Sequence, residues 1–309
     1  MADTAAALLL EAALGYPDRL YRRAGHPVGW IGALIGTLER ELNRPETPEA
    51  RRRALGVATC SVVLASGWGF GLALERLARG RPWLAALLAT PGLAQRSLHD
   101  HVAAVRAPLR RGDLAQARTA LSSIVGRDVD ALDEAGVSAA ALESLAESFN
   151  DGVVAPAFWL AVAGLPGLYA YKALNTADSL IGHREPRWRA FGWAAARADD
   201  LANLVPARLA GSLIALAGGG GWSVMRRDAR KHASPNAGWP EAAIAGALKV
   251  RLGGPATYDG VPAERPVFAE GAREPTVADL SRGLAVYRGA CLLLLAGATV
   301  WDLSRRARR

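Results

Sequence analysis

Cysteine and methionine are scarce in this chain, two of each in 309 residues. Cys60 and Cys291 lie inside apolar runs, at a spacing that cannot make a metal site, and they read as inert packing residues. Period-two alternation is nearly missing, so few strands are expected. There is no internal repeat and no low-complexity tract. No basic stretch interleaves with aromatics, which argues against a nucleic-acid-binding module. Gly218 to Gly221 is followed by no Lys-Ser or Lys-Thr and is not a Walker A loop. His99 and His101 are two positions apart and do not share a helix face, so they are not a metal pair. The start, MADTAAALLLEAALGYPDRLYRR, lacks the basic n-region and small-residue cleavage site of a secretory signal. Its apolar run from Ala5 to Leu14 is interrupted by Glu11 and is too short to span a membrane, so it is expected to lie in or along one.

Long apolar runs are present in place of these features. The chain is 51% hydrophobic and 21% charged, which a soluble domain can also reach, so distribution matters more than composition. Residues 54–74 carry no charge over 21 positions, and a helix needs about 20 such residues to cross a bilayer. Residues 284–301 are apolar except for Arg288, whose side chain can snorkel. Residues 83–94 are short and carry Pro91 and Gly92, as a kinked span or interfacial helix would. Residues 153–171 include Pro156, Gly164, Pro166 and Gly167, a pattern tolerated at membrane depth where a broken helix lines a cavity. Residues 201–217 contain Arg208, which must face protein or water. The expected fold is therefore all-α: one polytopic membrane domain over residues 1–309 with about four or five membrane segments, some broken or re-entrant. Polar regions fall at 96–150, 172–200 and 222–283. Asp113 is placed as an N-cap, and Ser138 reads as a helix start. The net charge of +8 comes largely from arginines flanking the apolar runs (Arg51, Arg52, Arg53 and the terminal RRARR), as the positive-inside rule and anionic lipid attraction predict.

The stretch 143–208 alternates apolar runs with dense polar clusters, and polar groups beside hydrocarbon are costly unless a site uses them. Glu143 and Glu147 share a helix face, and Asn150, Asp151 and Gly152 are expected to end that helix. Like charges one turn apart repel mildly. A solvated face would tolerate them; a cation would relieve them, and Mg²⁺ favours carboxylates together with phosphates. Asn175, Thr176, Asp178 and Ser179 follow Lys172. Asp199, Asp200 and Asn203 follow Arg197, with Asp200 and Asn203 on one side of a helix, and Arg208 beyond Pro206. A fourth cluster, RRDARKHASPNAGWPEAAIAGAL (226–248), sets Arg230, Lys231, His232, Ser234 and Asn236 before a helix opened by Pro240 and Glu241, an anion-binding arrangement or an ordinary basic loop.

HPVGWIGALIGTLERELN (26–43), ESLAESFNDGVVAPAFW, YKALNTADSLIGH (171–183), FGWAAARADDLANLVPARL (191–209) and KHASPNAGWPEAAIAGAL together resemble the adenosylcobinamide-phosphate synthase family, in the expected order over nearly the whole chain. Where many members have Ala-Glu-Asn, this chain has Ala146-Glu147-Ser148, with Asn150 before Asp151. The resemblance implies an ATP-dependent amide ligase of cobalamin biosynthesis. It joins the propionate of adenosylcobyric acid, a corrinoid, to the amine of aminopropanol phosphate or ethanolamine phosphate. A carboxylate is a poor acyl donor, so ATP would convert it to an acyl phosphate. That step calls for a divalent ion, basic groups and a proton acceptor.

By residue type, Glu147, Asp151, Asp199 and Asp200 are the candidates for Mg²⁺–ATP. Lys172, Arg197, Arg208 and Lys231 would contact phosphates, and Asn175, Asp178, Asn203, His232 and Asn236 would orient substrates. His232 or Glu143 would act as base. A multi-pass protein of the bacterial inner membrane is implied, with its site toward the cytoplasm and association with other corrinoid-pathway enzymes. Because the polar clusters flank 153–171 and 201–217, either one of those segments re-enters or the site opens into a cavity within the membrane. A non-catalytic membrane sensor and a secondary transporter are the competing classes.

Overall fold

The computed structural model describes residues 3–15, 27–183 and 185–308. Residues 16–26, which include most of GYPDRLYRR and His26 of the first motif, lie outside the described residues. The chain forms two compact units. One comprises Met1–Ala94, Ala155–Asn203 and Ala298–Arg309; the other comprises Gln95–Val154 and Leu204–Gly297.

The first unit contains α1 (Thr4–Leu14), α2 (Pro27–Leu42), α3 (Glu49–Leu77), α4 (Pro82–Ala89), α8 (Ala155–Ile181), α9 (Trp193–Ala202) and the end of α13 (Val277–Ala307). Helix α3 lies directly on α8 because its glycines allow it. A Cβ on Gly67 would stand 2.5 Å from the Tyr169 carbonyl oxygen, and one on Gly71 2.4 Å from that of Leu165. This is the small-residue packing expected where apolar burial gives little drive. Ile35, Val63, Ala173, Ala177, Ile181, Phe191 and Ala195 form a core beside this contact.

Helix α8 breaks at Gly164, whose φ of 68° is left-handed, two residues before Pro166. The break removes helical donors from the preceding turn. The Ala161 carbonyl accepts from Trp301 Nε1 at 3.2 Å and Arg305 Nη1 at 2.6 Å instead.

The second unit contains α5 (Gln95–Leu109), α6 (Leu114–Ser122), α7 (Glu134–Phe149), a π turn (Asn150–Val154), α10 (Leu204–Ala217), α11 (Trp222–Asp228), α12 (Gly238–Leu248) and the rest of α13. Asp113 caps α6, accepting from the Gln116 N–H at 2.9 Å. Helix α7 starts earlier than Ser138, at Glu134, because Asp133 accepts from the Gly136 N–H at 2.8 Å. Four short strands occupy the polar region: β1 (Leu252–Gly253) pairs antiparallel with β4 (Val267–Phe268), and β2 (Ala256–Tyr258) with β3 (Val261–Ala263).

Three helical runs are long and apolar enough to cross a membrane: Glu49–Leu77, Glu134–Ile181 and Val277–Ala307. A fourth is possible only if Trp193–Ala202 and Leu204–Ala217 form one bent span. The expected segment at 83–94 is an eight-residue helix followed by a 3₁₀ turn at Thr90–Gly92, too short to cross. The α-helical geometry of α7 ends at Phe149, where Asn150-Asp151-Gly152 was expected to end it, but the helical run does not stop there. The π turn absorbs these residues, and the helical run continues into α8.

Candidate functional site

The second unit buries an unusual group of charges. Glu143, 2% exposed, is saturated with donors: Arg265 Nη1 at 2.7 Å, the Gly253 N–H at 2.7 Å, and Arg127 Nη2. A carboxylate so surrounded has its acceptor positions filled by charged and backbone donors. The other guanidinium nitrogen of Arg265 lies 3.7 Å from Glu241 Oε2, and His232 Nε2 lies 3.8 Å from Glu241 Oε1. Both gaps exceed a hydrogen bond. Glu241, fully buried, has no hydrogen-bond partner on either oxygen. Burial first, then the neighbouring carboxylates of Glu147 and Glu143, push its carboxyl well above the usual range.

The loop before α12 orients His232. The Ser234 N–H donates to His232 Nδ1 at 2.9 Å, so a neutral ring carries its proton on Nε2, toward Glu241. The ring stacks on Phe268 with centroids 6.4 Å apart. Ser234 Oγ accepts from the Asn236 N–H at 3.2 Å, and Asn236 Oδ1 accepts from Arg208 Nη1 at 2.9 Å. The Arg208 guanidinium also lies 4.7 Å above the Trp239 ring. Lys231 Nζ stands 2.9 Å from buried Asp228, which Arg227 grips with two nitrogens at 2.8 Å and which also accepts from the Ala269 N–H at 2.9 Å. Chiefly through the Arg227 bonds, Asp228 is held far below the usual carboxylate range. Lys231 is thus engaged in an ion pair.

Glu147 is exposed and Asp151 half-buried, one turn apart across the π turn. Asp151 Oδ1 accepts from Asn150 Nδ2 at 2.7 Å. In the first unit, Asp199 is buried and accepts from Asn203 Nδ2 at 2.9 Å and, at the limit of 3.5 Å, from Asn175 Nδ2. Asn203 Oδ1 accepts from the Tyr171 hydroxyl at 3.1 Å. Asn203 therefore bonds Asp199, whereas the sequence spacing paired it with Asp200. Asp200 instead meets Arg197 at 3.3 Å. Asp178 receives the Gly182 N–H on its main-chain carbonyl at 2.7 Å. Lys172 lines an apolar cavity of about 180 Å³ with Trp30, Phe70 and Tyr169.

Among the described residues no three His, Cys, Asp or Glu side chains are placed to hold a metal ion. The expected acidic ligands form two pairs, Glu147 with Asp151 and Asp199 with Asp200. This donor set does not fit a resident metal centre.

The family described as CobD/Cbib protein matches residues 4–287. The chain belongs to the CobD/Cbib family. A cobalamin biosynthesis protein CobD of Rhodobacter capsulatus is 52% identical over 308 residues, covering 96% of this chain and 97% of its own. Its namesake in Rhizobium meliloti is 48% identical over 302 residues, 93% of this chain and 92% of its own. That of Brucella suis is 45% identical over 295 residues, 91% and 90% respectively. No solved structure matches the chain at a significant level.

Three residues of the CobD/Cbib charge group escaped the sequence reading as site residues: Arg127, Glu241 and Arg265. Arg127 and Arg265 are isolated cations in irregular segments, without periodicity or motif. Glu241 had a visible signal, since it follows Pro240 in the first turn of α12 inside the KHASPNAGWPE motif. There it read as a helix-start residue, a position that favours acids anyway.

Proposed function

We propose that this CobD/Cbib chain is an ATP-dependent amide ligase of cobalamin biosynthesis, joining adenosylcobyric acid to aminopropanol phosphate or ethanolamine phosphate. The observation that carries this reading is Glu241, a buried carboxyl without hydrogen bonds, set between His232 and Arg265 inside a motif of the family. Amide formation needs such a group. ATP phosphorylates the propionate carboxylate and leaves as ADP. The amine nitrogen then forms the C–N bond as the C–O bond to phosphate breaks, and phosphate departs with the electron pair.

The amine arrives as an ammonium and must lose a proton. Glu143 already accepts three donors, and Nδ1 of His232 is taken by Ser234. Glu241 is accordingly the proton acceptor, reached between His232 and Arg265, and an approaching ammonium favours its ionised form. His232, its Nε2–H facing Glu241, orients that carboxyl. In the second unit Arg208, Asn236 and Lys231, the last by exchange with Asp228, are the phosphate contacts; in the first unit Lys172 and Arg197 are the candidates for phosphate. Asn175, Asp178 and Asn203 orient substrate. Magnesium would supply charge neutralisation on the nucleotide phosphates, and Glu147 with Asp151, or Asp199 with Asp200, would hold it. The site faces the cytoplasm of the bacterial inner membrane, where ATP is available.

The test is incubation of the purified protein with adenosylcobyric acid, aminopropanol phosphate, ATP and Mg²⁺, with mass spectrometry for the amide. ATP-dependent product is expected. Folded protein that makes none, with ethanolamine phosphate also tried, would return the sensor and transporter readings.

A further inference from the structure

A cleft of about 660 Å³ opens in the first unit where α3 ends and α4 begins, lined by Leu72, Glu75, Arg76, Arg79, Arg81 and Pro82 among others. Its charge is one-sided. Arg76, Arg79 and Arg81 are all exposed, and among the described residues none of their guanidinium groups has a hydrogen-bonding or ionic partner. The single carboxyl, Glu75, lies against the α8 break, 3.1 Å from where a Cβ on Gly164 would stand.

The backbone brings the arginines together. Gly80 has a φ of 76° with no atom within 4 Å of an added Cβ. Its left-handed conformation reverses the chain between Arg79 and Arg81 and starts α4 at Pro82. Three unpaired cations held on one concave surface repel each other unless an anion joins them.

The surroundings say which anion. Helix α3 is long and apolar enough to cross a membrane, and its charge-free run of 54–74 reaches the cleft at Leu72. Next to the cleft-lining residues in the chain, Leu77 is 64% and Trp83 63% exposed, with Leu87 one turn further along α4 also on the surface. A tryptophan with leucines beside arginines, at the end of a crossing helix, is the composition of a headgroup boundary. A soluble anion would find the charges but leave those side chains uncovered; a lipid covers both with its phosphate and its acyl chains.

We infer that the α3–α4 cleft binds the phosphate headgroup of an anionic phospholipid, held by Arg76, Arg79 and Arg81, with acyl chains against Leu77, Trp83 and Leu87. This site is independent of the ligase reading and uses none of its residues. Basic pockets beside membrane helices take such headgroups in general.

Native mass spectrometry of the full chain in nonionic detergent tests it, titrating phosphatidylglycerol and phosphatidylcholine separately. Phosphatidylglycerol is expected to bind at least about tenfold more tightly. Each arginine near a headgroup is worth about fivefold, so R76Q/R79Q/R81Q should weaken phosphatidylglycerol binding by roughly 100-fold. Arg110→Gln, an exposed cation in the other unit, should leave it unchanged. The three arginines are on the surface, so the triple variant should fold, which its unfolding temperature in detergent reports. Equal binding of the two lipids, or unweakened phosphatidylglycerol binding by a folded triple variant, would overturn the site. Displacement of the lipid by inorganic phosphate or ATP at millimolar concentration would also overturn it, by making the cleft a site for soluble anions.

Discussion

In the first unit, α3 meets α8 backbone to backbone at Gly67 and Gly71; in the second, α7 and α12 bring Glu143 and Glu241 together with the guanidinium groups of Arg127 and Arg265. Close contact between small residues gives a fixed scaffold with nothing to titrate. Buried charges give stability only as a complete set, because removing one member leaves the others desolvated and alone. The first kind of contact suits structure, and the second suits the proton transfer proposed for the second unit. The contrast extends to single carboxylates: Glu143 has three donors, whereas Glu241 has none within hydrogen-bond distance.

The largest effect expected from breaking this contrast is at Glu143. Glu143→Ala leaves two largely buried arginines without their shared anion, a loss of about 3–5 kcal/mol. Chemical or thermal unfolding in detergent should show it, and a change below about 1 kcal/mol would mean the group is not a cooperative set. Next comes Glu241→Gln, which keeps the shape and removes the proton acceptor. Amide formation should fall by about 100-fold or more. Alkaline pH should restore part of it by deprotonating the amine, and unchanged turnover would remove Glu241 from the chemistry.

Gly71→Val pushes side-chain atoms into the Leu165 and Pro166 backbone and should cost about 1–3 kcal/mol of stability. The charge group of the second unit should keep its function at temperatures where the variant remains folded. The smallest stability effect belongs to Asp200→Asn. Its pair with Arg197 is at the surface, so the variant should unfold within about 0.5 kcal/mol of the parent. Any large loss of turnover in it is therefore chemical, and near-normal activity would end its proposed role at magnesium.

Acid and alkali should act oppositely on two carboxyls of the second unit. Asp228 is lowered in the fold, so its stabilisation is present above the ordinary aspartate range, about pH 4, and is lost as pH falls through its folded value. Glu241 is raised, so stability relative to Glu241→Gln is full below about pH 4 and declines as pH rises toward its folded value. Unfolding temperatures of parent, Asp228→Asn and Glu241→Gln across this range measure both slopes. A Glu241→Gln variant no more stable than the parent at neutral pH would contradict the second.

The all-α membrane character was legible because lipid permits few alternatives: a 21-residue run without charge at 54–74 has one ready reading, and α3 contains it. The Asp113 cap was legible because its mechanism is local. The Asn-Asp-Gly after Phe149 looked like a helix end because those residues usually are one, but a π turn accommodates the extra residue and keeps the run continuous. Strands of two or three residues carry no usable alternation, so the pairs between Leu252 and Phe268 were invisible. In the candidate site, the motifs pointed to His232 and Asn236, four residues apart in one loop, and to Arg208 on α10. The contact of Arg265 with Glu143, 122 positions apart, depends wholly on tertiary structure.

The carbonyl of Ala161 receives its donors from Trp301 and Arg305, about 140 residues later in the chain. During synthesis at roughly 5–20 residues per second, that oxygen waits on the order of ten seconds for them. An unsatisfied carbonyl in hydrocarbon costs several kcal/mol, so the broken helix cannot settle at its final depth until the C-terminal segment has been made. Assembly of the first unit is thus timed by the synthesis of Trp301 and Arg305, and truncation before Trp301 should arrest biogenesis rather than merely shorten the protein.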